Sequence, residues 1–258
     1  MYVELSHTNQ EEFNNTINNL PNPDKITLVT IKYSFIADLK CISKLCNLEK
    51  LFLKYNDISD ISPLSNLKKL KILNLIGNII SDVEPLSDLV NLKCLDLRQN
   101  DISDIRPLRK LVKLEDLYLN DNYISDVESL STLVNLESLN LGDNIISNIE
   151  PLSSLVKLEV INLLYNRISD MRPLSSLVKL QVIYYENKIS NLTPLKHMYA
   201  LRKILDTLDI DDWGYVLDYK TRKTIEGNKY QFILLESTLP KNYRCPLNNL
   251  RERGILGL

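Results

Sequence analysis

Leucine and isoleucine recur along this chain at a fixed step. Units begin at Ile26, Leu48, Leu70, Leu92, Leu114, Leu136 and Leu158, each 22 residues after the last. An eighth begins at Leu180 and is one residue shorter, because Leu201 follows after 21. With the first residue of a unit counted as position 0, apolar side chains fall at positions 0, 3, 5, 10, 13, 16 and 19, and asparagine at position 8. The fourth unit shows the pattern plainly: Leu92, Leu95, Leu97, Asn100, Ile102, Ile105, Leu108, Leu111. Positions 3 and 5 alternate, which predicts a short strand with one face inward. Positions 10 to 19 step by three, which suits a 3₁₀-like return path. One unit cannot bury its apolar row alone, whereas stacked units cover one another. The pattern therefore predicts a solenoid of eight coils whose strands align in parallel, a ribbon roughly 40 Å long.

The polar positions of the unit are as regular as the apolar ones. Asn56, Asn78, Asn100, Asn122, Asn144, Asn166 and Asn187 form a column, with Ser34 in its place in the first unit. An asparagine side chain both donates and accepts, so at a buried turn it can bond the backbone groups that the bend leaves unpaired. Proline recurs at position 15 as Pro63, Pro85, Pro107, Pro151 and Pro173, and Pro194 continues the column after the one-residue deletion. Its fixed φ and missing N–H suit the first position of a short helical turn. The preceding Ser-Asp pairs, such as Ser59-Asp60 and Ser103-Asp104, read as turn chemistry on a solvated convex face.

The phrase Ile-Ser-Asp-Ile-x-Pro-Leu, following Leu-x-x-Leu-x-Leu-x-x-Asn, resembles the leucine-rich repeat proteins. It is most similar to the 22-residue subclass found in bacterial internalins and in the leucine-rich regulatory subunit of protein phosphatase 1. The resemblance covers residues 26–200 and is specific for fold rather than for function. It implies an α/β solenoid, curved, with a concave parallel sheet of about eight short strands, a 3₁₀ or irregular convex side, and a cap at each end. It also implies that the concave face is the binding surface.

The ends depart from the repeat. Residues 1–25 read as an N-terminal helical cap: Thr8-Asn9-Gln10-Glu11 has capping-box spacing, Phe13, Ile17 and Leu20 form an apolar stripe, and Pro21 and Pro23 end the helix. Such a helix would cover the open edge of the first coil. Residues 201–258 read as a C-terminal cap, with strands over 215–219 and 229–235 forming a possible hairpin before a mobile end.

Composition narrows the function classes. With 31 Lys+Arg against 33 Asp+Glu, the chain lacks the strongly basic footprint of a nucleic-acid binder. Two histidines, six glycines and four cysteines without CxxC spacing leave little material for a metal site, a phosphate loop or a redox motif, so no cofactor is expected. No apolar run is long enough to span a membrane. The first residues, Met1-Tyr-Val-Glu-Leu-Ser-His, do not read as a signal peptide, and no wall-anchoring pattern follows the repeats. A cytoplasmic location with ordinary free thiols is the corresponding expectation.

Function is expected where the fold leaves residue choice free. Positions 2, 4 and 6 of each unit point away from the leucines, and position 7 lies at the strand exit. Three zones emerge there: Lys32, Tyr33, Phe52, Lys54 and Tyr55 near the N-terminal end; Asp96, Arg98, Asp116, Tyr118 and Asp121 in the middle; Val160, Leu164, Tyr165, Val182 and Tyr184 near the C-terminal end. Outward aromatics and arginine are the types enriched at interface hot spots. The partner-binding candidates are accordingly Lys32, Tyr33, Phe52, Lys54, Tyr55, Asp96, Arg98, Tyr118, Leu164, Tyr165 and Tyr184. Asp96, Asp116 and Asp121 resemble the paired carboxylates of glycosidases, but nothing in the sequence would desolvate one of them on an open face. Aromatics beside Lys32 and Lys54 would suit single-stranded nucleic acid, against which the acidic centre counts. The reading is a non-catalytic module that binds a protein on its concave face. The alternative is a spacer or assembly module whose 201–258 tail makes the specific contact.

Overall fold

A computed structural model describes residues 1–185 and the backbone of 203–206. Ten strands form one parallel sheet in chain order. They are β1 (Tyr2–Ser6), β2 (Leu28–Lys32), β3 (Lys50–Lys54), β4 (Ile72–Asn74), β5 (Cys94–Asp96), β6 (Asp116–Tyr118), β7 (Ser138–Asn140), β8 (Val160–Asn162), β9 (Val182–Tyr185) and β10 (Lys203–Asp206). From β2 to β9 every strand pairs with its homologue 22 residues on, Leu95 with Leu117 and Leu117 with Leu139. Between β9 and β10 the step is 21 residues, Ile183 pairing with Ile204, as the shortened unit requires. The expected hairpin at 215–219 and 229–235 lies outside the described residues.

The sheet has more strands than the 22-residue period predicts, and one of them changes the reading of the N-terminal cap. β1 is a true first coil: Val3 pairs with Val29 and Leu5 with Ile31. Its return path is the helix α1 (Gln10–Asn18), which makes this coil 26 residues long and hides it from a 22-residue search. α1 buries Phe13 and Ile17 in the common core, with Leu20 packed against it. The cap residue is Asn9, one later than the capping-box spacing suggests. Its side chain accepts from the Glu12 amide at 2.9 Å, while the Thr8 hydroxyl donates to Glu12 Oε2 at 2.7 Å. The helix lies on the return side of its coil and packs beside the 3₁₀ turn Lys40–Lys44 rather than over the free edge of β1.

The returns are 3₁₀ turns, with proline in the first or second position of six of them among the described residues. The acidic residue two before each turn's second member supplies the missing acceptor: Asp60 Oδ1 receives the Ser62 amide at 2.8 Å, and Asp104 Oδ1 the Arg106 amide at 2.9 Å. Those contacts hold the Asp60 and Asp104 carboxyls below the usual carboxylate range. Inside, Leu92, Leu95, Leu97, Leu108 and Leu111 and their counterparts are fully buried in one continuous core.

The asparagine column behaves as its chemistry predicts. Asn100 Nδ2 donates to the carbonyls of Leu75, Leu97 and Arg98, each at 3.1 Å, and Oδ1 accepts the Ile80 amide at 3.0 Å. Each asparagine thus closes its own turn and ties it to the preceding coil. In the second coil Ser34 takes the role, donating to the Lys32 carbonyl at 3.0 Å and accepting from the Thr8 amide at 3.1 Å. Cys41, Cys46 and Cys94 are free, and burial pushes the Cys41 thiol up to about 11.

Candidate functional site

The concave floor is far more closed than an outward-pointing pattern suggests. Strand spacing is only about 4.8 Å, so side chains on the inside of a curved sheet crowd their neighbours. Phe52, Ile72, Cys94 and Tyr118 form a second, smaller apolar cluster there, with Leu28 against it. Phe52, Asp96, Arg98, Tyr118 and Leu164 are buried; Lys32, Lys54, Tyr55 and Tyr184 are half-buried; Tyr33 and Tyr165 are exposed. Part of the candidate set therefore serves the fold, and the accessible part concentrates at the strand exits.

At the centre of the floor lies an ion pair. Asp96 and Arg98 sit two residues apart on one strand and so share a face. Arg98 donates to both carboxylate oxygens of Asp96, Nε at 2.9 Å and Nη2 at 2.8 Å. Asn74 Nδ2 adds a third donor to Asp96 at 2.7 Å, and the guanidinium carbon stands 5.6 Å from the centre of the Tyr118 ring. Burial opposes the charge on Arg98; the Asp96 carboxylate and its hydrogen bonds override that and hold the guanidinium above the ordinary arginine range. Asp96, Asp116 and Asp121 form no catalytic constellation, since Asp96 is committed to Arg98. Among the described residues no group of three or more His, Cys, Asp or Glu is placed to hold a metal ion.

The strand exits carry a feature that spacing alone does not reveal. His7, Tyr33, Tyr55, Gly77, Gln99, Asp121, Asp143 and Tyr165 all have φ between 49° and 68°. In this left-handed conformation each N–H still donates to the next coil, Tyr55 to the Ile76 carbonyl and Asp121 to that of Gly142. The sheet ladder thus extends one residue past each strand before the chain turns. A non-glycine residue there costs of order 1–3 kcal/mol, and glycine occupies the column only once.

The first three members of the column form a stack. The Tyr33 and Tyr55 rings lie 5.2 Å apart and 3° from parallel, and His7 continues the stack 6.1 Å from Tyr33. At the other end the Tyr55 ring lies over Gly77, where an added Cβ would overlap it. Gly77→Ala is therefore expected to displace the Tyr55 ring and to cost about 1–3 kcal/mol through strain and overlap. Near-ultraviolet circular dichroism together with urea unfolding checks both effects. An unchanged aromatic signal would show that the stack does not rest on Gly77.

Large apolar side chains that remain exposed fall into two rows, apart from Met1 and Tyr2. One follows the strand exits at positions 7 and 9: Tyr33, Phe35, Ile79, Tyr123, Ile145 and Tyr165. The other is a file of valines at position 20, from Val90 to Val178. Phe35 and Tyr123, 82% and 60% exposed, extend the accessible aromatic edge beyond the positions singled out from strand alternation. Their signal in the sequence is a bulky apolar residue at a position where other coils place Asp57 or Asp101.

The comparisons with known proteins agree with this architecture. The model for leucine-rich repeats in two copies matches residues 46–88, 90–132 and 134–176. An internalin (inlF) from Listeria monocytogenes is 32% identical with a TM-score of 0.70, over 72% of this chain and 55% of that one. The chain thus spans little more than half of that internalin's length. An internalin C2 (inlC2) from the same species is 37% identical with a TM-score of 0.64, over 67% of this chain and 76% of that one. A TLR13–ssRNA13 complex contains a chain 26% identical with a TM-score of 0.60, over 70% of this chain and 29% of that one. No curated protein matches. No helix among the described residues is long and apolar enough to cross a membrane. The 22-residue coil, its asparagine column, the parallel sheet and these matches agree: the chain belongs to the leucine-rich repeat family, with a solenoid of the kind found in internalins.

Proposed function

We propose that this solenoid is a non-catalytic protein-interaction module that receives a protein partner along its concave face and strand-exit rim. The observation that carries the reading is the pre-stacked row His7, Tyr33 and Tyr55, held in left-handed backbone at the edge of a rigid sheet. Side chains already fixed lose little ordering entropy on binding. Tyrosine and tryptophan are also the anchors most often found at interface hot spots. The stack favours a protein over single-stranded nucleic acid. Both faces of Tyr33 are covered by its neighbours and one face of Tyr55 lies on Gly77, so few ring faces remain for bases. The strand exits of coils five and six, moreover, present the carboxylates Asp121 and Asp143.

The test is affinity capture from host lysate by the wild-type chain, by Tyr33→Ala/Tyr55→Ala and by Tyr165→Ala/Tyr184→Ala. A protein captured by wild type and lost by a folded double variant is the expected result, with at least a tenfold loss of affinity once the partner is purified. Capture indifferent to both variants would overturn the concave-face reading. Phe52→Ala is a poor probe, because Phe52 is buried in the small floor cluster and its loss would act through folding.

A further inference from the structure

The concave face is electrically bipolar along the solenoid axis. The eight positions that β2 and β3 present to it (Leu28, Thr30, Lys32, Tyr33, Lys50, Phe52, Lys54, Tyr55) include three lysines and no acid. Glu4 on β1 offsets only part of this, its carboxylate 3.6 Å from Lys32 Nζ in an exposed pair. In the middle Arg98 and Asp96 neutralise each other and are closed to solvent. The twelve positions of β6, β7 and β8 include Asp116, Asp121 and Asp143 and no basic residue. Asp121 and Asp143 are exposed and form no ion pair among the described residues. They sit on adjacent coils, whose backbones bond through the Asn122 amide and the Asp143 carbonyl at 3.2 Å. Beside them Asn120 Oδ1 is buried with no hydrogen-bond donor. Burial and the neighbouring Asp121 charge hold the Asp143 carboxyl above the usual carboxylate range. This end of the face has acceptors in excess, and the other end has donors.

We infer that the partner segment carries the opposite polarity, with acidic side chains over β2 and β3 and basic side chains over β6 and β7. The inference rests on the concave-face reading above. From β3 to β7 there are four strand spacings, about 20 Å. The partner's two charged groups would then stand about six residues apart if extended and about thirteen if helical. That span exceeds the Debye length at physiological salt, about 8 Å, so each end reads its own charge independently. Complementary charge of this kind fixes orientation and register more than it adds affinity. A second copy of the chain is a poor occupant, since the faces would have to enter one another's concavity.

The probe is a display library of random 20-residue peptides, selected on the whole chain at 0.15 M salt. Selected peptides are expected to carry an acidic and a basic group at one of the two predicted separations. Lys32→Glu/Lys54→Glu and Asp121→Lys/Asp143→Lys, each folded by circular dichroism, are each expected to weaken them at least tenfold. Peptides of one sign, or binding indifferent to either reversal, would overturn the polarity. If such peptides still lose binding with Tyr33→Ala/Tyr55→Ala, the concave-face reading survives that failure. Indifference to the tyrosine variant as well, or a selection that yields no binder, counts against both.

Discussion

Asp96→Ala is expected to destabilise the fold by about 3–5 kcal/mol, one of the two largest single-residue effects expected outside the leucine core. The substitution leaves the Arg98 guanidinium buried, with its two short hydrogen bonds gone and only the Tyr118 ring beside it. Removing one partner of a buried pair costs far more than the pair contributes, because the survivor stays charged and out of water. Replacing both partners, as in Asp96→Leu/Arg98→Leu, removes the uncompensated charge and is expected to fall within about 1 kcal/mol of wild type. Asn74 loses a hydrogen-bond partner in both variants, so the contrast between them isolates the guanidinium. Urea unfolding of wild type and both variants measures it. A loss below about 1 kcal/mol for Asp96→Ala would mean that Arg98 escapes to water, and the floor would then be softer than its packing indicates.

Asn100→Ala is the second. It strips the donor from the carbonyls of Leu75, Leu97 and Arg98 and the acceptor from the Ile80 amide, all in a dry turn. Two or more buried groups left unpaired, at about 1–3 kcal/mol each, place the expected loss at roughly 3–5 kcal/mol. Asn100→Ser should lose less, since Ser34 shows that a hydroxyl can both donate and accept at this position. Hydrogen exchange adds a local readout: protection of the Ile80 amide should fall before that of amides several coils away. Unchanged stability with Asn100→Ala would refute the account of the column.

The repeat was legible because its physics is written at every coil. Leu95 and Leu117 are found by counting, and their pairing follows from the same count. Asn100 could be assigned its role from its donor and acceptor alone. β1 was hidden because its return path is a helix. Val3, Leu5 and Thr8 hold positions 3, 5 and 8 faithfully, but Val29 comes 26 residues after Val3. The candidate surface was only half legible. Alternation tells which face a side chain leaves by, and it placed Phe52, Asp96 and Tyr118 correctly on the concave side. It carries no information on curvature, and curvature is what buries them. Nor does it show backbone conformation: Tyr33 and Tyr55 read as strand-exit residues, while their stacking depends on a left-handed turn and on Gly77 beneath Tyr55.

The regular step of the sheet also governs how the molecule would respond to being pulled. Every rung joins residues a near-constant distance apart in sequence, so no contact staples the first coil to the last. Tension applied to the ends meets only the outermost interface at any moment. Each coil that peels away frees 22 residues, about 70 Å of slack, and presents the next with nearly the same resistance. The chain would thus lengthen in equal steps and rewind in the same steps when released. The stiffness that holds its concave face in shape is accordingly a sum of local joints, any one of which can open without dissolving the rest.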